Sequence, residues 1–130
     1  MRIILIITSL LFCLSSQAQN HVFSKTVVAL SGAIAQGAGS ALSGLAPEKS
    51  CQAYGTTTAG AGAATVAIQA SNDNSNWITV GTITLVLATA VSSDGFAMNS
   101  LWRHIRANVT AISGTGASVT VICAAKTKES

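Results

Sequence analysis

The sequence predicts an all-β fold, and three observations carry that expectation. No stretch sustains apolar residues at helical spacing. Short runs rich in Val, Ile and Thr recur instead, bounded by Gly, Ser, Asn or Asp. Charged residues make up only 8% of the chain, against about 25% in an ordinary soluble domain. Small residues and Thr fill the difference, which suits closely paired strands and a surface covered by neighbours. Disorder is excluded, because it needs high charge and low hydrophobicity, and 49% of these residues are apolar.

The first 19 residues, MRIILIITSLLFCLSSQAQ, read as a signal peptide. Arg2 supplies the positive start, Ile3 to Leu14 the apolar stretch, and Ser16-Gln17-Ala18 the small residues that cleavage needs. The apolar run falls short of the roughly 20 residues of a membrane-spanning helix, so the mature chain is expected to have no membrane span. Residues 20–49 are expected to hold an N-terminal strand over 22–30 and then a Gly- and Ala-rich arm or loop, GAIAQGAGSALSG at 32–44. Residues 50–125 are the expected β-sandwich core and 126–130 a polar tail.

Within the core, 50–57 reads as a strand. A second follows over 63–70, where Val66 and Ile68 alternate with Thr65, Ala67 and Gln69. SNDNSN at 71–76 is a turn, because Asn, Asp and Ser bond the local backbone and tolerate positive φ. Residues 77–80 and 82–88 form two short strands, or one strand kinked at Gly81. Another turn is expected at 92–95, with a short strand from Phe96. In the strand over 101–110, Trp102, His104, Arg106 and Asn108 face one way and Arg103, Ile105, Ala107 and Val109 the other. SGTG at 113–116 turns the chain into a last strand, 118–125. That makes about eight strands, enough for a sandwich or a barrel.

Chemistry is sparse. Seven Lys or Arg stand against four Asp or Glu, too small an excess for nucleic-acid binding, which takes clustered basic residues. The acids and two His show no catalytic spacing, and no nucleophile elbow or phosphate loop is present, so no enzyme is expected. No metal or cofactor is expected either: SNDNSN offers oxygens but too few carboxylates for Ca²⁺, and no CxxC suggests zinc. Asn72, Asp73, Asn74 and Asp94 remain as loop-borne surface contacts. Cys51 and Cys123 read equally well as a disulfide, in an exported chain, or as two buried thiols. Trp77, Phe96 and Trp102 read as structural aromatics, with core packing favoured for both Trp over a sugar-stacking platform.

From Ala63 to Val121 the chain reads AATVAIQASNDNSNWITVGT, then GFAMNSLWRHIRANVTAISGTGASVTV. The order of SND, NW, a Trp-Arg strand, SGTGA and a final strand resembles a β-sandwich module of tailed-bacteriophage virion proteins. The topology of that module is similar to discoidin-type jelly rolls. The resemblance implies an antiparallel, jelly-roll-like sandwich in which the Trp102-Arg103 strand and the 113–116 turn are scaffold. It implies a non-enzymatic structural role in a phage-type particle: capsid decoration, fibre or tail component. The implied partners are copies of itself or other virion or envelope proteins. The leader departs from this pattern, since virions assembled in the host cytoplasm do not carry export signals. The expected location is therefore the virion or the periplasmic or extracellular space. An exported module that binds a glycan or a cell surface is the alternative.

Overall fold

The computed structural model describes residues 22–128; the leader at 1–19, with Cys13, lies outside the described residues. The strands run β1 Val22–Ala33, β2 Gly37–Ala38, β3 Leu42–Ser43, β4 Glu48–Thr56, β5 Ala59–Ser71, β6 Ile78–Leu87, β7 Ser92–Asn99, β8 His104–Thr115 and β9 Ser118–Lys128. They build two sheets, ordered β1-β9-β4-β7 and β2-β8-β5-β6, with β3 also on β8. Every pairing is antiparallel.

The two shortest strands are halves of one. β2 lies opposite Val109 and Asn108, and β3 opposite Ile105 and His104, along the same flank of β8. Counted as one, they leave a nested order: β1 pairs the last strand, β2–β3 the one before it, β4 pairs β7, and β5 pairs β6. A long hairpin folded over on itself gives this pairing, which is the jelly-roll topology.

Alternation dictates which face is buried. In β4, Lys49, Cys51, Ala53 and Gly55 turn inward and Ser50, Gln52 and Tyr54 outward. In β6, Ile83, Leu85 and Leu87 turn inward and Thr82, Thr84 and Val86 outward. The five-stranded sheet supplies the large core residues, with Val66, Ile68, Ile83, Leu85, Leu87, Ile105 and Val109 all buried. The four-stranded sheet meets them with smaller ones: Cys51, Ala53, Val119, Val121 and Cys123. Cys51 and Cys123 face each other across the β4–β9 ladder and are joined as a disulfide with Cα atoms 4.1 Å apart.

Several boundaries differ from those read in the sequence. The segment at 32–44 is neither a free arm nor plain loop, since Gly37–Ala38 and Leu42–Ser43 pair with β8. Leu42 is buried, Gly39 N donates to Ala107 O at 2.9 Å, and Ser40 N donates to Ala29 O at 2.8 Å. The segment therefore bridges β1 and β8 and closes one side of the sandwich. A Cβ on Gly39 would lie 1.8 Å from the Ala29 carbonyl oxygen, so only glycine fits there. Because β1 pairs β9, the sandwich includes Val22–Ala33 and is not confined to residues from 50 onward, and β9 runs to Lys128, into the expected tail.

The turn expected at 92–95 is strand. Ser92, Ser93 and Asp94 pair with Gly55, Tyr54 and Ala53, and ladder hydrogen bonds outweigh local turn preference. The chain turns earlier, at 88–91. Residues 77–88 hold one strand. Its register slips between Ile68 and Gln69, which leaves Val80 as an extra residue beside Gly81. Gly81 also makes room for an aromatic ring. A Cβ there would sit 2.3 Å from the Phe96 ring, which covers it from β7. That contact closes the other side of the sandwich. The Trp-Arg strand starts only at His104, so Trp102 and Arg103 lie in the loop before β8.

Candidate functional site

The loop residues singled out from the sequence fall at opposite ends of the molecule. Asn72, Asp73 and Asn74 join β5 to β6 at one end. Asp94 lies near the start of β7, after β6 has crossed to the other end. They do not form one site. Asp73 is turned onto its own loop. Its carboxylate accepts from Asn76 Nδ2 at 2.7 Å, Asn76 N at 2.8 Å, Ser75 N at 2.9 Å and Ser71 Oγ at 2.8 Å. The Asn76 side chain first, then the Asn76 and Ser75 amides and the Ser71 hydroxyl, hold its carboxyl well below the usual carboxylate range. Asn72 Oδ1 accepts from Arg103 N at 3.2 Å, which ties this loop to the one before β8. Asn74 takes the left-handed conformation, at φ 58°, that closes the turn. Asp94 is exposed and accepts from Gly95 N at 2.8 Å.

The aromatics divide. Phe96 and Trp102 are half-buried against the core. Trp77 is not core, which corrects the sequence reading. It stands half-buried on the outward face of the five-stranded sheet, where the Arg106 guanidinium lies 4.2 Å from its ring centroid. Arg106 Nε also donates to Gln69 Oε1 at 2.9 Å. The β5–β8 register brings Gln69 opposite Arg106. Such a stack contributes roughly 0.5–1 kcal/mol at an exposed site. The alternation of β8 already showed Arg106 pointing outward. Its partner Trp77 reaches it from the far side of β5, and that pairing was not legible.

The outward face of the four-stranded sheet carries a shallow depression of about 560 Å³. Ser50 and Gln52 of β4, Ser93, Gly95 and Ala97 of β7, and Ile122 and Ala124 of β9 line it. A second hollow of about 300 Å³ continues it past Ala97 and Ala124 toward Glu48 and Lys126. Those two residues form an exposed ion pair at 4.0 Å, at the far end of the trough. Between Asp94 on the rim and this pair the lining is mostly small and uncharged, with the buried Lys49 the charge among it.

Lys49 was not singled out in the sequence. It is 3% exposed, and its ammonium donates to the Ala46 carbonyl and, at 3.3 Å, to the Ser100 carbonyl. Burial lowers its pKa. It cross-links the loop before β4 to the loop after β7, which Ser100 N also joins by donating to Pro47 O at 2.8 Å. An inward Lys in a β-alternating run was the available signal. Ser43 Oγ and His104 Nδ1 lie 2.8 Å apart, both outside the core. Among the described residues no three His, Cys, Asp or Glu side chains gather into a metal-sized group. Among them, too, no helix is long and apolar enough to cross a membrane.

No family model matches the chain, and no curated protein matches it in sequence. Among solved structures it is similar to the PBSX exported protein XepA, with a TM-score of 0.37 and 13% identity. The likeness covers 85% of this chain and 33% of that one, so this chain spans about a third of that protein's length. A likeness of that size carries no functional argument.

Proposed function

We propose that this protein is a non-enzymatic structural module of a phage-type particle, a decoration, fibre or tail component that works by packing against copies of itself or a larger assembly. One observation carries the reading: both sheets turn nearly uncharged faces outward. The four-stranded sheet shows the mostly uncharged trough, with the Glu48–Lys126 pair at one end. The five-stranded sheet shows Thr65, Gln69, Thr82, Thr84, Val86 and Asn108, with Arg106 the charge among them. Solitary soluble domains normally carry dense mixed charge on such faces, whereas surfaces buried in assemblies are depleted of it. The jelly-roll topology and the virion-type sequence order at 63–121 agree with this reading. Light scattering behind size-exclusion chromatography, with negative-stain microscopy of the peak, tests it. Multimers or particles are expected. A species at the single-chain mass across micromolar to millimolar concentrations overturns the packing of copies against one another.

A second reading has one observation of its own. Trp77 and Arg106 lie outside the core beside the exposed 72–76 loop, an arrangement able to take a glycan on an exported protein. Quenching or a blue shift of Trp fluorescence on a glycan panel, lost in Trp77→Ala, would favour it over assembly.

A further inference from the structure

The open edges of the two sheets are not alike. β1 carries Lys25 on its edge and breaks register twice, between Val28 and Leu30 and between Leu30 and Ala33. β2 and β3 are two residues each. β7 carries Asp94. Charges, irregular register and short length are the devices by which folded chains keep an edge from pairing. β6 has none of them beyond the bulge at Val80. From Gly81 to Leu87 it is a regular run, GTITLVL, with no charge and no proline. Its one ladder partner among the described strands is β5. Every second backbone N–H and C=O on the far side faces outward; water satisfies these groups one by one, and another strand satisfies the whole row together.

We propose that the β6 edge is a self-association surface, and that its occupant is β6 of a second copy, paired antiparallel about a two-fold axis at Thr84. The strand is self-complementary about that residue. Thr84 would face its own copy, Thr82 would face the partner's Val86 on the outward side, and Ile83 would face the partner's Leu85 on the core side. Each is a β-branched or aliphatic pairing of the kind that stabilises adjacent strands. No like charges oppose one another, and an isologous contact of this kind closes on itself. Thr82, Thr84 and Val86 are exposed, and Val86 is 76% so, so the contact needs no rearrangement of the fold. The result would be a five-stranded sheet continuing through the axis into its copy. The inference rests on the assembly reading above and names its first contact.

The test uses the full chain and two substitutions at an exposed position. Wild type is expected at twice the chain mass or a multiple of that. Thr84→Lys sets two like charges face to face on the axis and is expected to raise the dimer dissociation constant at least tenfold, with the circular dichroism spectrum unchanged. Leu101→Lys, at an exposed position in the loop before β8, is expected to leave the mass unchanged. Thr84→Cys is expected to form a reducible covalent dimer under mild oxidation, above the wild-type background. A multimer that survives Thr84→Lys and gives no Thr84→Cys dimer overturns the β6 contact while assembly stands. A monomeric wild type overturns both.

Discussion

At the scale of the residue, Asp73 shows how a turn signal becomes an electrostatic clasp. Four donors converge on a solvent-facing carboxylate, so its proton affinity falls on folding. A carboxyl with a lowered folded-state pKa contributes stability that is complete above its unfolded value, near about 3.9, and is lost as pH falls below that value. The β5–β6 loop is therefore expected to loosen only in strong acid. In an NMR titration from neutral pH downward, the Ser75 and Asn76 amide shifts should hold steady through the ordinary carboxylate range and move below it. Midpoints at the usual Asp value, with the loop unaffected, would refute the clasp. Lys49 is the opposite case: a buried ammonium whose two carbonyl partners hold neighbouring loops together. SNDNSN announces its turn in sequence because the information is local. Lys49 and Trp77 do not, because their partners arrive from β7, β8 and the loops that follow.

At the scale of the element, the segment between β1 and β4 is the most instructive. Its composition says loop, and composition is a correct guide to its irregular backbone. What composition omits is that a glycine-rich strip is thin enough to slide between β1 and β8. Gly39 shows the point, since any Cβ would collide with the Ala29 carbonyl and the Leu30 side chain. Gly39→Ala is expected to cost about 2–4 kcal/mol by forcing the strip off the sandwich. Denaturant melts would read that loss, and limited proteolysis should show new cleavage between residues 34 and 47. An unchanged midpoint would mean that the strip is not bound as described. The strongly alternating strands β4, β5, β6, β8 and β9 were all legible in sequence, with their ends off by a few residues. β7 was half legible, because Ser92 to Gly95 favour a turn locally and strand only when β4 is alongside.

At the scale of the whole molecule, the disulfide and the nested topology belong together. Cys51 and Cys123 sit on adjacent central strands with sequence separation 72, and both residues are buried, at 3% and 0% exposure. Closing a loop of that length is worth about 4 kcal/mol in the chain-entropy model. The double variant Cys51→Ala with Cys123→Ala is expected to lose roughly that much in urea unfolding, partly softened by the small, apolar replacement. A loss under about 1 kcal/mol would show that the bridge constrains little in the unfolded chain. The sequence alone left the bridge and two free thiols equally open, because pairing depends on β9 docking beside β4, a register that no local pattern encodes.

That docking has a consequence in time. β9 is the last of the described strands to be made, yet it sits between β1 and β4 and completes the four-stranded sheet. Until residues 118–128 have left the ribosome, β1 has no ladder partner among the described strands and β4 has only β7. The early chain is therefore held open by its own topology and commits to the native state in one late step. Folds dominated by such distant pairings close on the millisecond-to-second scale, so the four-stranded sheet is expected to form in a slow step that waits for β9.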